Sequence, residues 1–340
     1  MKRTLLILII GIALISTTFA QRIVSHDKRF NKLVPKNAHL EKISTGFGWA
    51  EGPVWSHQCN CLFVSDVVNN LIYKVFPDGR TELFLKPSGY TGSAVFTGRE
   101  PGSNGLVFDR IGRLVLNQHG NRRIARLGSD GKMEVVADRF EGKRLNSPND
   151  LVYKSNGDLY FTDPPFGLPK VLEDPEKELS FQGIYRLSRD GKLTLLTKDV
   201  AFPNGIAFSP DEKTLYVSNA DRNNAVWYAF DVKPDGLLGS KREIFNVDEL
   251  AKTKPGVPDG LKVDRNGYLF AAAPGGIHVI DPKGGKLLGS FEFDAATANC
   301  AWAEDGSVLY ITSNDSVYRI QLRTKGARFD HTMVSHKLRT

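Results

Sequence analysis

The sequence predicts an all-β fold, a six-bladed β-propeller with four antiparallel strands per blade. Three observations predict it. A polar-small-apolar strand motif recurs six times along the 340 residues. Each copy continues through turn residues into two or three further apolar alternating strands, and the copies start 53, 45, 55, 55 and 40 residues apart. A unit of four short strands at that period cannot bury both of its faces alone and stacks radially on its neighbours. Glycine is abundant (32 residues) and 10% of the chain is aromatic, as short strands and tight turns require. Nothing in the composition fits a disordered chain, a coiled coil, a collagen or a cysteine-stapled mini-domain.

The first blade starts at Glu51-Gly52-Pro53-Val54-Trp55 and returns through Leu62-Phe63-Val64-Ser65-Asp66. The second starts at Asn104-Gly105-Leu106-Val107 and the third at Asn149-Asp150-Leu151-Val152. The fourth starts at Asn204-Gly205-Ile206-Ala207, the fifth at Asp259-Gly260-Leu261-Lys262 and the sixth at Asn299-Cys300-Ala301-Trp302. Third strands are expected at 71–76, 123–127, 183–187, 225–230, 276–280 and 316–322, and fourth strands at positions such as 81–85 and 193–196. The sixth unit has no fourth strand before the polar tail at 323–340, so an N-terminal strand at 40–46 is expected to supply it and close the ring. Residues 21–340 then form a single domain with its core at about 38–324.

Residues 1–20 are set apart from the fold. Lys2 and Arg3, an apolar run at 5–15 and small residues at Thr18 and Ala20 describe a signal peptide cut before Gln21. The run is too short to span a bilayer. The mature chain is therefore expected to be exported, periplasmic or secreted, with no membrane attachment. A net charge of +7, two units of it in that leader, comes with no basic run interleaved with aromatics, so no nucleic-acid partner is expected. Arg122-Arg123 and Lys241-Arg242 are expected as solvated faces. Cys59 and Cys61 are too close in sequence to pair without a strained ring, and Cys300 is far away, so all three are expected as buried or idle thiols.

In a propeller the first strand of each blade lines the central channel, so the six strand heads face one another. They are Glu51, Asn104, Asn149, Asn204, Asp259 and Asn299, and every one carries a side-chain oxygen. Asn-Gly and Asp-Gly are also ordinary turn formers, but the ordinary turns of this chain, such as Asp78-Gly79 and Asp190-Gly191, lie between strands within a blade. A ring of two carboxylates and four amides, without His or Cys, suits one hard divalent cation. Calcium is expected first, with magnesium, manganese or zinc as alternatives. Loops on the same face carry Gln118-His119 and Asp163-Pro164-Pro165. There is no Gly-x-Ser-x-Gly nucleophile elbow, phosphate-binding glycine loop or metalloprotease helix motif.

Longer motifs surround these positions. They include Asn117-Gln118-His119-Gly120-Asn121-Arg122-Arg123, Gly142-Lys143-Arg144-Leu145-Asn146-Ser147-Pro148-Asn149-Asp150, Phe161-Thr162-Asp163-Pro164-Pro165-Phe166-Gly167-Leu168 and Pro203-Asn204-Gly205-Ile206-Ala207-Phe208. With them the chain resembles the senescence marker protein/gluconolactonase/luciferin-regenerating enzyme family, and within it the exported bacterial gluconolactonases. The resemblance covers nearly the whole mature chain. It implies hydrolysis of a small sugar lactone, glucono-1,5-lactone to gluconate, at one divalent metal held by Glu51, Asn149, Asn204 and Asp259. It also implies that Asp259 acts as general base. Asn104, His119, Asp163 and Asn146 are the candidate substrate-binding residues; His119 and Asp163 also suit purely structural loop roles. Animal members of the family carry an arginine where this chain has Ser147. A calcium-dependent sugar-binding propeller without catalysis, and hydrolysis of another ester or phosphotriester at the same metal, are the alternatives. Oligomeric state is not legible.

Overall fold

In the computed structural model, residues 21–327 are described; the expected signal peptide and the end of the polar tail lie outside them. Six antiparallel sheets are arranged as blades around a common axis. The first blade comprises Ala50–Ser56, Cys61–Asp66, Leu71–Val75 and Thr81–Leu85. Blades two to four repeat the arrangement from Ser103–Phe108, Leu151–Tyr153 and Pro203–Phe208 outward. The fifth and sixth start at Leu261–Val263 and Thr297–Ala303. Innermost strands of neighbouring blades touch, so the strand heads converge at the axis.

Ring closure follows the expectation. Glu41–Thr45 pairs antiparallel with Ser316–Gln321, supplying the fourth strand of blade six from the opposite end of the chain. The repeat did not foretell a second N-terminal addition. Arg22–Ser25 pairs with Lys286–Glu292 and makes blade five five-stranded. The connection between these two strands is tied down as well: Phe30, Leu33 and Val34 are buried against Leu288, Phe291 and Leu322. The Phe30 ring lies where a Cβ on Gly289 would stand, 2.4 Å from its Cδ2.

Most buried apolar residues of the described chain fall into six clusters, one in each wedge between adjacent blades. Each sheet therefore has both faces covered, which explains why inner strands such as Leu269–Ala273 read as continuous apolar runs.

Two expectations are corrected. Cys59 and Cys61 form a disulfide. Asn60 between them takes a left-handed backbone (φ 50°), and Ser56 pairs with Cys61 across the turn. That turn sets their Cα atoms 5.3 Å apart, within ordinary bridging distance. Arg122 is not on a solvated face: it is 4% exposed, donating through Nε to the carbonyls of Leu145 and Asn146 and through Nη1 to that of Glu176. Cys300 matches its expected place. It is buried, and burial pushes its thiol up to about 12.

Two stability predictions follow from this packing. Phe30→Ala removes a buried ring from the wedge between blades five and six and should cost roughly 3–5 kcal/mol in urea unfolding. His278, buried in blade five, has its imidazole pushed down from 6.5 to about 4, first by burial and then by His26. The unfolded chain therefore takes up a proton that the folded chain refuses, and stability is lost as pH falls through that window. The contribution of His278 to that loss should reach about 3 kcal/mol, and His278→Leu should gain unfolding midpoint relative to the parent as pH falls from 6.5 to 4.

Candidate functional site

Geometry at the axis begins with the backbone. In blades one, two and four the innermost strand shifts register just after its head, between Glu51 and Val54, Ser103 and Leu106, and Pro203 and Ile206. Such bulges re-aim side chains. The head backbones approach one another closely. A Cβ on Gly260 would stand 1.9 Å from Asn299 Cγ, and one on Gly205 2.3 Å from the Asp259 carbonyl oxygen. Only glycine fits at these two positions, so the Gly that follows a head residue serves blade contact rather than a turn. Head carbonyls are also satisfied internally: Ser65 Oγ donates to Asn104 O (2.8 Å) and Thr162 Oγ1 to Asn204 O (2.6 Å).

With the backbone satisfied, the side chains face a cavity of about 630 Å³ at the mouth of the channel. Glu51, Asn104, Asn149, Asn204 and Asp259 line it. The sixth head, Asn299, lies behind them, its Nδ2 donating to Glu51 Oε2 at 3.2 Å and its Oδ1 accepting from Lys262 Nζ at 3.2 Å. Asn104 Oδ1, Asn204 Oδ1 and Asp259 Oδ1 are buried without a hydrogen-bond partner. Burial raises the Glu51 carboxyl above its usual range, opposed by the N–H of Gly52. Burial first and the Glu51 charge second raise Asp259 as well. Two buried carboxyls whose ionisation burial opposes, beside orphaned amide oxygens, form a donor set that a divalent cation would satisfy. Among the described residues no group of three or more His, Cys, Asp or Glu could hold a metal, so a cation here would need the amide oxygens as well.

The other expected substrate contacts lie elsewhere. Asp163 is fully buried and its carboxylate accepts the N–H groups of Asn146 (2.8 Å) and Ser147 (2.9 Å). Asn146 donates to the carbonyls of Asp163 and Phe181. Ser147 ties Pro164 O to Gly167 N through its hydroxyl. These residues pin together the loops that hold Asn149. His119 is also fully buried, with Nδ1 3.2 Å from Glu100 Oε2. None of the four lines the cavity.

The cavity wall also includes Arg99, Glu100, Phe166, Phe202 and Arg222, which the repeat pattern did not single out. Arg99 and Glu100 belong to the connection between blades one and two, a segment without periodicity. Phe166 was legible only as part of a motif. Phe166 and Phe202 stack with ring centroids 5.8 Å apart and planes at 12°.

The model of the SMP-30/gluconolactonase/LRE-like region matches residues 49–315, most of the propeller. The chain belongs to this family. It is 37% identical over 312 residues to a gluconolactonase of Zymomonas mobilis, covering 90% of this chain and 87% of the relative. A solved gluconolactonase from Xanthomonas campestris superposes with a TM-score of 0.76 at 32% identity, covering 88% of this chain and 94% of the other. A luciferin-regenerating enzyme shares the fold (TM-score 0.68, 20% identity, 85% and 97% covered). The six-bladed architecture is thus the family's own.

Removing the Asp163 carboxylate orphans two buried N–H groups. Asp163→Ala should therefore lower stability by about 2–4 kcal/mol in chemical denaturation.

Proposed function

We propose that the chain is a gluconolactonase-type enzyme that hydrolyses a sugar lactone, glucono-1,5-lactone to gluconate, with Asp259 as general base. One observation carries this reading: Glu51 and Asp259 converge with the unpartnered oxygens of Asn104 and Asn204 in a cavity large enough for a sugar ring. Membership of the family and the gluconolactonase relatives support it.

Lactone hydrolysis needs a water deprotonated as it attacks the carbonyl carbon, a stabilised oxyanion and a proton for the departing ring oxygen. Asp259 Oδ1, free of hydrogen bonds and held at the cavity wall, is placed to accept the water proton. The new C–O bond forms first and leaves a tetrahedral oxyanion; its collapse restores the carbonyl and breaks the ring C–O bond, and Asp259 returns its proton to the leaving alkoxide. Glu51, Asn149, Asn204 and Asp259 would hold the divalent cation, calcium first, with magnesium, manganese or zinc as alternatives. When bound, that cation supplies polarisation of the carbonyl and charge compensation for the oxyanion. Glu51 contributes charge and position rather than proton transfer, since its Oε2 already accepts from Gly52 N and Asn299 Nδ2.

The reaction belongs outside the cytoplasm. The leader-like first 20 residues support this, and so does the Cys59–Cys61 disulfide, which suits an oxidising compartment.

Proton release from glucono-1,5-lactone, measured after chelation and again after each metal is restored, tests the reading. Chelation should return the rate to the spontaneous one, and Asp259→Asn should lower kcat by roughly 10²–10⁴. Calcium binding with only the spontaneous rate under every metal would overturn the hydrolase reading in favour of a sugar-binding propeller.

A further inference from the structure

The segment from Lys86 to Gly102 joins blades one and two without a helix or strand, and it is fastened at its base. Asn70 Oδ1 accepts from the N–H groups of Ser88 (3.0 Å) and Gly89 (2.6 Å), Gln118 Nε2 donates to Ser88 O, and Ser88 Oγ accepts from Ser103 N. Tyr90 N then donates to Pro101 O at 2.6 Å, pinching the segment into a closed loop whose tip, Val95, is 88% exposed. Arg99 and Glu100 stand inside that loop, immediately before the pinch, and both line the cavity that holds Glu51 and Asp259.

Beneath them Glu100 Oε2 lies 3.2 Å from Nδ1 of the fully buried His119. Phe166 and Phe202 add an apolar aromatic surface to the cavity wall. A cavity wall that sets aromatic faces beside the Arg99 guanidinium and the Glu100 carboxylate is amphipathic in the way a polyol ring is. C–H faces pack on aromatic rings, hydroxyl hydrogens go to a carboxylate and hydroxyl oxygens take guanidinium N–H groups.

We infer that Arg99 and Glu100 form the hydroxyl-recognition element of this site, selecting a polyhydroxylated ring over a bare lactone. The inference rests on the sugar-lactone reading above and deepens it. A site built to hydrogen-bond hydroxyl groups rejects the analogue lacking them, because its own polar groups are then left unpaired.

The experiment uses the full chain and three variants: Arg99→Met, Glu100→Gln, and Val95→Ala as a change in the same loop away from the cavity. Calorimetry with glucono-1,5-lactam, a non-hydrolysed ring bearing the same hydroxyls, reads recognition apart from turnover. Arg99→Met and Glu100→Gln should each weaken it about tenfold or more, while Val95→Ala binds as the parent does. In parallel, the ratio of kcat/KM for glucono-1,5-lactone over δ-valerolactone should fall at least as far in the first two variants. Unchanged lactam affinity in both, an equal loss in Val95→Ala, or a parent protein that does not bind the lactam would overturn the inference. A parent that opens no lactone but binds the lactam through Arg99 and Glu100 would overturn the hydrolase reading and leave the recognition element standing.

Discussion

Everything in the site depends on how closely six backbones can approach one axis. The innermost strands meet so tightly that a Cβ after four of the heads would collide with the next blade, at Gly52, Gly105 and Gly205 with the carbonyls of Asn104, Asn149 and Asp259 and at Gly260 with the Asn299 side chain. Such crowding leaves no room for a loop or a water layer, so the head carbonyls must find partners within the ring. Ser65 and Thr162 provide them from second strands. The benefit falls to the side chains. Asn104, Asn204 and Asp259 each face the cavity with a side-chain oxygen to spare, while Glu51 beside them spends one oxygen on the N–H of Gly52.

Those spare oxygens explain the electrostatic character of the centre. A carboxylate buried beside another carboxylate is costly, and both Glu51 and Asp259 are raised accordingly. Lys262 offsets part of this from behind, with Nζ 3.2 Å from Asn299 Oδ1 and 3.8 Å from Asp150 Oδ2. The arrangement trades stability for charge held ready, as functional sites often do.

Periodicity made the blades legible in the sequence, and position within the period made the strand heads legible. The same logic assigned ring closure to the segment at 40–46, because a unit lacking one strand must borrow it. What carries no period stayed hidden. The strand Arg22–Ser25 is an appendage with no counterpart in other blades, and Phe30 just after it packs on Gly289 of the strand it joins. Arg122 reads as a surface cation, yet three backbone carbonyls gathered from distant segments bury it. Cys59 and Cys61 pair because Asn60 adopts a left-handed turn that spacing alone does not reveal. His119, Asp163 and Asn146 belong to motifs on the correct face, but depth below a surface is a tertiary quantity. The structure sets them beneath the cavity, where they hold loops. Arg99 and Glu100 reach the cavity only because their loop is pinched at Tyr90 and Pro101.

The pairing of Glu41–Thr45 with Ser316–Gln321 has a bearing on how the molecule comes into being. The two strands are separated by most of the chain, so the circle is closed by a contact of very long range, and such contacts form late and slowly. While the polypeptide is being made, five blades can assemble in order as their residues emerge, but the strand at 41–45 must wait with its edge unpaired until synthesis passes residue 321. A propeller fastened in this manner is thus completed only by a finished chain. A ribosome that stops short leaves an open crescent with two raw edges, a form that proteases and aggregation remove.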